Sequence, residues 1–430
     1  MMTEWKSDLL RESYYHVSHR SGLQIYVFPK RLTTTYAILS TRYGAIDTVF
    51  RTEGEDEWIT VPDGVAHFLE HKLFENPDGS DSFERFSAFG ADANAYTTCN
   101  RTAYLFSCTE RFSESFAELL TFVTTPYFTP KTVKKEQGII AEEIRMYDDS
   151  PWERCFQNLM DGLYHVHPVR RSICGTEQSI AQITDKLLYD CYRVFYQLSN
   201  MALVVCGDVM PEEVLRVADA VLPTESHPVR IERGHVDEPR SVRSASMEAR
   251  MQVSKPIFTV GIKDADIPDD PTERMRRDAA TSLLEEILFS RSGSFYSSLF
   301  EEGLITPSYS YGYSIAEGFG FHTVSGESDC PEEILRRLRA YLAEVRRKGI
   351  DPEEFERCRR VLYADELRGY DSTEEIANSL LSFVFDDAEL FAYPEMLQSI
   401  QAEELLPLLD GMLREDAFCL SAVYPSEEKG

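Results

Sequence analysis

The sequence predicts an α+β chain of two homologous domains, each a largely antiparallel sheet covered by helices. Three observations predict it. Strand-like and helix-like stretches follow one another through hairpins and adjacent helices rather than in strict strand–helix–strand order, which favours antiparallel sheets with helices laid over them. The order also repeats. Tyr36-Ala37-Ile38-Leu39 corresponds to Phe258-Thr259-Val260-Gly261, and Ala141-Glu142-Glu143-Ile144-Arg145-Met146-Tyr147-Asp148 to Ala364-Asp365-Glu366-Leu367-Arg368-Gly369-Tyr370-Asp371. Ser179-Ile180 then matches Ser399-Ile400, and the strand Ala202–Cys206 matches Ala417–Ala422, at offsets between 215 and 223 residues. A repeat of that length is a domain, not a solenoid turn. Finally, 430 residues with 43% hydrophobic content suffice for two cores. The expected boundaries are 1–222 for the N-terminal domain, 223–245 for a linker and 246–430 for the C-terminal domain. The stretch Leu222–Ala245 is rich in Pro, Arg, His and Glu and lacks apolar periodicity.

The elements of the first half follow in order. Tyr14–His16 and Leu23–Pro29 flank Ser21-Gly22, a hairpin signal, and Thr35–Tyr43 is a further strand. After a polar loop, Pro62 and Asp63 open a short helix with Asp63 as its N-cap. Ser82–Phe89 reads as a second helix stopped by Gly90, and Ala93–Thr97 and Ala103–Cys108 as two strands. Ser113–Thr124 and Pro130–Asp149 are long helical patterns, the second capped by Thr129 with Pro130 at its first position. Helical pattern returns over Ser179–Tyr196, and the half closes with the apolar strand Ala202–Cys206 before Gly207-Asp208.

Composition narrows the partners. A net charge of −29 argues against nucleic acid and against anionic membrane surfaces. Such acidity mostly serves solubility; an acidic cavity wall that attracts basic peptides is the second reading. No window approaches the roughly 18 apolar residues of a membrane span, and the stretch MMTEWKSDLLRESYY lacks the layout of a signal peptide, so a cytoplasmic protein is expected. The nine cysteines are odd in number, scattered and without a CxxC pair. They predict thiols held mostly in the core, with neither a disulfide framework nor a cysteine-held zinc.

The chemistry concentrates in Asp63-Gly64-Val65-Ala66-His67-Phe68-Leu69-Glu70-His71-Lys72-Leu73-Phe74-Glu75. Residues three and four apart stack on one helix face, which brings His67, Glu70 and His71 together. Imidazole is a common zinc ligand, and catalytic zinc usually has three protein ligands and one water, so this helix lacks one ligand. Glu70, between the histidines, suits a general base acting on that water. In a chain with nine histidines the same HxxEH string also arises by chance, as a helix with surface or satisfied core histidines. Context has to decide.

The residues around the motif resemble the pitrilysin/insulinase family of inverzincins, which includes mitochondrial processing peptidase. The resemblance continues through Asn94-Ala95-Tyr96-Thr97, Glu136-Gln137-Gly138-Ile139-Ile140-Ala141-Glu142-Glu143, Cys174-Gly175-Thr176-Glu177 and Cys206-Gly207-Asp208, covering nearly the whole first half. It implies a Zn²⁺ site, two domains per chain, and two chains or two joined halves closing like a clam around a peptide. The third ligand is expected from another helix. On Pro130–Asp149, Val133, Ile140, Ile144 and Tyr147 form the apolar face, Glu143 borders it and Glu142 faces solvent. The family's ligand lies seven positions after another glutamate, which makes Glu143 the ligand and Glu136 that earlier acid. Glu136 is then expected to support a ligand or contact substrate, against a surface ion pair with Lys131 or Lys135. Asn94 and Ala95 match the family's strand beside the metal, whose edge pairs with substrate backbone; the plainer reading is a turn into a strand. His165 and His167, before Pro168, are a competing pair that matches a family segment without ligand duty.

The two halves are not chemically equal. The helix corresponding to the HxxEH helix, Asp278–Phe289, holds no histidine, although Glu366 matches Glu143, so one metal site per chain is expected. Active chains of the family carry an Arg and a Tyr seven apart in the second domain, which hold the substrate backbone. Here the matching segment is Leu299-Phe300-Glu301-Glu302-Gly303-Leu304-Ile305-Thr306, with Phe300 at the Arg position and no matching Tyr. Tyr309, Tyr311 and Tyr313 alternate, which fits a half-buried strand better than a cavity lining. The expected function is a zinc-dependent metalloendopeptidase subunit acting on peptides, with His67, His71 and Glu143 on zinc and Glu70 as general base. The expected assembly is a homodimer, or a heterodimer with a sister subunit that carries the Arg/Tyr clamp. The alternative is a non-catalytic structural or peptide-binding subunit, whose sequence mark would be a broken HxxEH; a peptide-holding chaperone has no positive support.

Overall fold

The computed structural model describes residues 2–226 and 228–426. They gather into two compact units, one of Met1–Ile144, Ser172–His235 and Leu367–Phe391, the other of Arg145–Arg171, Val236–Glu366 and Ala392–Gly430. Each unit thus includes a segment that lies, in sequence, within the opposite half.

The first unit is built on β1 (Met2–Ser7), β2 (Glu12–Ser18), β3 (Gln24–Pro29), β4 (Thr35–Thr41), β5 (Val49–Thr52), β6 (Ile59–Thr60), β7 (Asp92–Thr97), β8 (Thr102–Cys108), β9 (Met201–Gly207) and β10 (Ile231–Arg233). Seven of these form a sheet in the order β1-β2-β3-β9-β4-β8-β7, and β10-β5-β6 form a small second sheet. In the large sheet every pairing is antiparallel except β3 with β9. β4 and β9 are buried along their whole length, as continuous apolar runs are when both faces are covered. On one face Ala37, Leu39, Leu203 and Val205 share a core with Phe68 and Leu69 of the helix Val65–Leu73 and with Val133, Ile140 and Ile144 of the helix Pro130–Asp149. On the other face Tyr36, Ile38, Val204 and Cys206 pack against Ile376, Ala377, Leu380 and Leu381 of the helix Thr373–Phe385. Each fully buried leucine or isoleucine contributes about 1.5–3 kcal/mol, which makes this late helix integral to the first unit.

The second unit holds β11 (Ser246–Met251), β12 (Ile257–Asp264), β13 (Ser310–Ala316), β14 (Phe319–Glu327) and β15 (Phe418–Pro425) in the order β11-β15-β12-β14-β13. β11 pairs with β15 in parallel and the rest are antiparallel. Pairing for pairing this repeats β3-β9-β4-β8-β7, so the duplicated order in the sequence is a duplicated sheet. Phe258, Val260 and Ile262 pack with Leu283, Leu284 and Leu288 of the helix Pro271–Phe289. The helix Pro151–Leu163 covers β12 and β15 on the other side, with Cys155 clustered against Ile257 and Val423. It approaches so closely that a Cβ on Gly261 would stand 2.6 Å from Leu159 Cδ1.

Several expectations need correcting. The stretch Ser179–Tyr196 is not one helix but two, Glu177–Ile180 and Asp185–Phe195, because Thr184 caps a new start by accepting from the Leu187 N–H. Tyr147, expected on the apolar face, is 39% exposed. The helices Pro151–Leu163 and Pro211–Val221 were not anticipated. Tyr311 and Tyr313 do belong to the partly buried strand β13, whereas Tyr309 precedes it and is buried; the hydroxyls of Tyr309, Tyr311 and Tyr313 donate to Phe289 O, Glu286 and Asp264. Phe300 lies exposed on the helix Ser294–Glu301, its ring stacked on Tyr296. Seven of the nine cysteines are buried, and no disulfide forms among the described residues.

Candidate metal centre

The HxxEH helix begins one residue later than the sequence indicated. Its N-cap is Gly64, not Asp63, with φ at +92° and no side-chain cap bond. Only glycine takes that backbone without strain, and a Cβ there would meet the Cys174 carbonyl oxygen at 2.5 Å. The loop around Cys174 and Gly175 therefore seats directly on the helix entry. Phe68, Leu69 and Leu73 anchor the helix in the core, and His67, Glu70 and His71 share its remaining face.

Glu143, from the helix Pro130–Asp149, meets both imidazoles. Its Oε1 lies 3.6 Å from His67 Nε2 and its Oε2 lies 3.4 Å from His71 Nε2. The His67 and His71 rings are 4.6 Å apart, edge to face. His71 Nδ1 faces Glu136 Oε1 at 3.1 Å, a contact that fixes the ring and leaves Nε2 directed at Glu143. Glu136 is thus not in a surface pair with Lys131 or Lys135. Among protein atoms His67 Nδ1 is buried and unpartnered. Glu142, one residue from Glu143, is exposed.

Glu70 is buried, and its Oε2 accepts a hydrogen bond from the Thr97 hydroxyl at 2.5 Å. Burial pushes its carboxyl above the ordinary glutamate value, against the pull of His67 and the Thr97 hydrogen bond. The facing imidazoles of His67 and His71 hold Glu143 well below the usual carboxylate range. Burial works against a charged His71, but the hydrogen bonds to Glu136 and Glu143 outweigh it and push its pKa up to about 10.

The donor set fits a zinc ion. Two nitrogen or oxygen donors at about 2.0–2.1 Å around a tetrahedral zinc stand about 3.3 Å apart, close to the 3.6 Å from His67 to Glu143 Oε1 and the 3.4 Å from His71 to Glu143 Oε2; the donor atoms that all lie within 4.8 Å of one another are those of His67, Glu143 and Cys174, and His71 joins them through Oε2. Asn94 and Ala95 lie on β7, the edge strand of the large sheet, beside the HxxEH helix; the Asn94 side chain accepts from the Ala95 N–H at 2.9 Å. His165 and His167 belong to the second unit. Their backbone N–H groups donate to Glu238, and His167 Nδ1 accepts from Val169 N. Sequence reasoning gave no role to Thr97, which holds Glu70, or to Cys174, whose Sγ lies 3.9 Å from His67 Nε2. Both sit in stretches singled out by resemblance, but no periodicity links residues so far apart in sequence.

Comparison with known proteins identifies the family. Residues 60–177 match the family model described as insulinase, peptidase family M16, and residues 182–362 match that of the M16 inactive domain. A Bacillus subtilis (strain 168) protein named as an uncharacterized zinc protease, YmfH, is 39% identical over 422 residues, 97% of each chain. The chain belongs to peptidase family M16. Among solved M16 structures, one from Alicyclobacillus acidocaldarius described as M16-like superposes with a TM-score of 0.91 at 34% identity, over 99% of this chain and 98% of that one. The periplasmic protease PqqL of Escherichia coli shares the fold, with a TM-score of 0.74 at 17% identity, 99% of this chain matching 48% of its length. Among the described residues no helix is long and apolar enough to cross a membrane.

Proposed function

We propose that this M16 chain is a cytoplasmic zinc-dependent metalloendopeptidase subunit, with His67, His71 and Glu143 as the metal ligands and Glu70 as the general base. The observation that carries the reading is the placement of Glu143, whose two oxygens face the two Nε2 atoms of the HxxEH helix. His67, His71 and Glu143 would hold zinc there, and the ion would supply Lewis acidity that acidifies water and polarises the scissile carbonyl. Glu70 takes the proton of the attacking water and delivers it to the leaving amine. Thr97 fixes Oε2 of that carboxylate, leaving Oε1 for proton transfer. Burial raises the Glu70 pKa, toward the range in which a base can both accept and return a proton. Glu136 orients His71. A peptide adding to the edge of β7 would lie beside Asn94 and Ala95, exchanging the local Asn94 bond for backbone pairing.

The two copies of the sequence repeat are assigned to 1–222 and 246–430, joined by 223–245, with the metal chemistry in the first; the compact units depart from these bounds at 145–171 and 367–391. The alternative, a non-catalytic structural or peptide-binding subunit, draws on the match of residues 182–362 to the inactive-domain model. That match includes none of His67, Glu70, His71, Glu136 or Glu143, so it leaves the metal centre untouched. The test is metal analysis of the purified chain. About one equivalent of zinc per chain is expected, lost in His67→Ala and in His71→Ala; full zinc in both variants would sink the ligand assignment.

A further inference from the structure

The loop that seats on the HxxEH helix brings a sulfur to the metal centre. Cys174 is 6% exposed, its carbonyl packs against Gly64, and its Sγ stands 3.9 Å from His67 Nε2. The donor atoms of His67, Glu143 and Cys174 all lie within 4.8 Å of one another. His71 approaches this trio through the other Glu143 oxygen. On a tetrahedral zinc, a sulfur at about 2.3 Å and a nitrogen at about 2.0 Å stand about 3.5 Å apart, a few tenths of an ångström less than the separation found. The absence of a CxxC pair argued against a cysteine-held zinc, but that rule applies to cysteines paired in sequence. A single cysteine delivered by a distant loop escapes it.

We infer that Cys174 is a further protein ligand for the metal held by His67, His71 and Glu143, and that its sulfur competes with water for the open coordination position. This rests on the metal site proposed above. When the sulfur binds, the thiol gives its proton to solvent and the water leaves; no electron is transferred. The result is a closed set of two imidazoles, one carboxylate and one thiolate, of the kind found in structural zinc sites, which keep no position for water. Hydrolysis then requires the sulfur to withdraw.

Cobalt tests this without any activity measurement. The full chain, stripped of metal, is titrated with one equivalent of Co²⁺ and its absorption spectrum recorded. Visible d–d bands are expected together with a near-ultraviolet sulfur-to-cobalt charge-transfer band. Cys174→Ser and Cys174→Ala should keep the visible bands and lose the charge-transfer band, while Cys191→Ser, which alters a buried core thiol, should keep both. In competition with a chromophoric chelator, Cys174→Ala should bind zinc about tenfold or more weakly than the parent. Visible bands without charge transfer in the unaltered chain would overturn the role of Cys174 and leave the metal site standing. A charge-transfer band that persists in Cys174→Ala would overturn it too. If the unaltered chain binds no cobalt and shows neither feature, the metal-site reading itself falls.

Discussion

Two neighbouring glutamates on one helix have opposite surroundings, and the difference is a residue-scale test of the metal centre. Glu143 points its oxygens at His67 and His71, whereas Glu142 is exposed. Glu143→Gln removes the charge between the imidazoles and should weaken zinc binding about 100-fold or more. Glu142→Gln should leave it unchanged, and chelator competition on both variants measures the contrast; equal losses would mean that the wrong glutamate had been assigned. The sequence made His67, Glu70 and His71 legible because helical spacing alone stacks them. Glu143 and Glu136 were legible from one helix's faces together with the family pattern. Thr97 and Cys174 were not, because their contacts to Glu70 and His67 are closed by strand pairing and loop packing that no local pattern encodes.

Among the elements, a local start signal was sometimes enough and sometimes overlooked: Pro151–Leu163 was missed although Ser150 caps it and Pro151 opens it. Pro130–Asp149 carries its start signal in Thr129 and Pro130 and was read to the residue. The N-cap of the HxxEH helix was misread because Gly64 answers to the Cys174 carbonyl rather than to a capping side chain. Glu238, inside the segment read from sequence as a linker, shows how much a loop residue can organise. It accepts from the N–H groups of His165, Val166 and His167 and from the buried Lys263. Burial alone would raise its carboxyl, but Lys263 and those three N–H groups outweigh burial and hold its pKa down at about 2. A depressed folded pKa stabilises above the ordinary glutamate value, and that stabilisation is lost as pH falls through about 4.5 toward 2. Glu238→Gln should therefore cost about 3 kcal/mol at pH 7, since it leaves a buried lysine without its counter-charge. Near pH 3 the gap from the parent should shrink. Urea denaturation at the two pH values checks both statements, and equal stability at pH 7 would show that the pair is not structural.

For the whole molecule, the repeat was visible in the sequence as a nearly constant offset, and the two sheets repeat it pairing for pairing. The reciprocal membership of 145–171 and 367–391 was not visible. An amphipathic helix shows in sequence that it has an apolar face but not which sheet covers it, and the apolar residues of Thr373–Phe385 suit either. The second unit also departs from the clamp expected of active family chains, with an exposed Phe300 at the Arg position. A zinc site can activate water without holding a peptide in line, and positioning contributes much of an enzyme's rate. The isolated chain should accordingly show little or no peptidase activity, and co-expression with a sister subunit of similar length that lacks HxxEH but carries the Arg and Tyr should restore it. Full activity of the isolated chain, unchanged by any partner, would make Phe300 a harmless substitution. Whichever assembly is active, the comparison of Glu70→Gln with the parent tests the central claim most directly, through zinc content and peptide hydrolysis measured on the same preparation. The account predicts about one zinc per chain in both and a fall in hydrolysis of about 100-fold to 10,000-fold in the variant; undiminished cleavage by Glu70→Gln would contradict it.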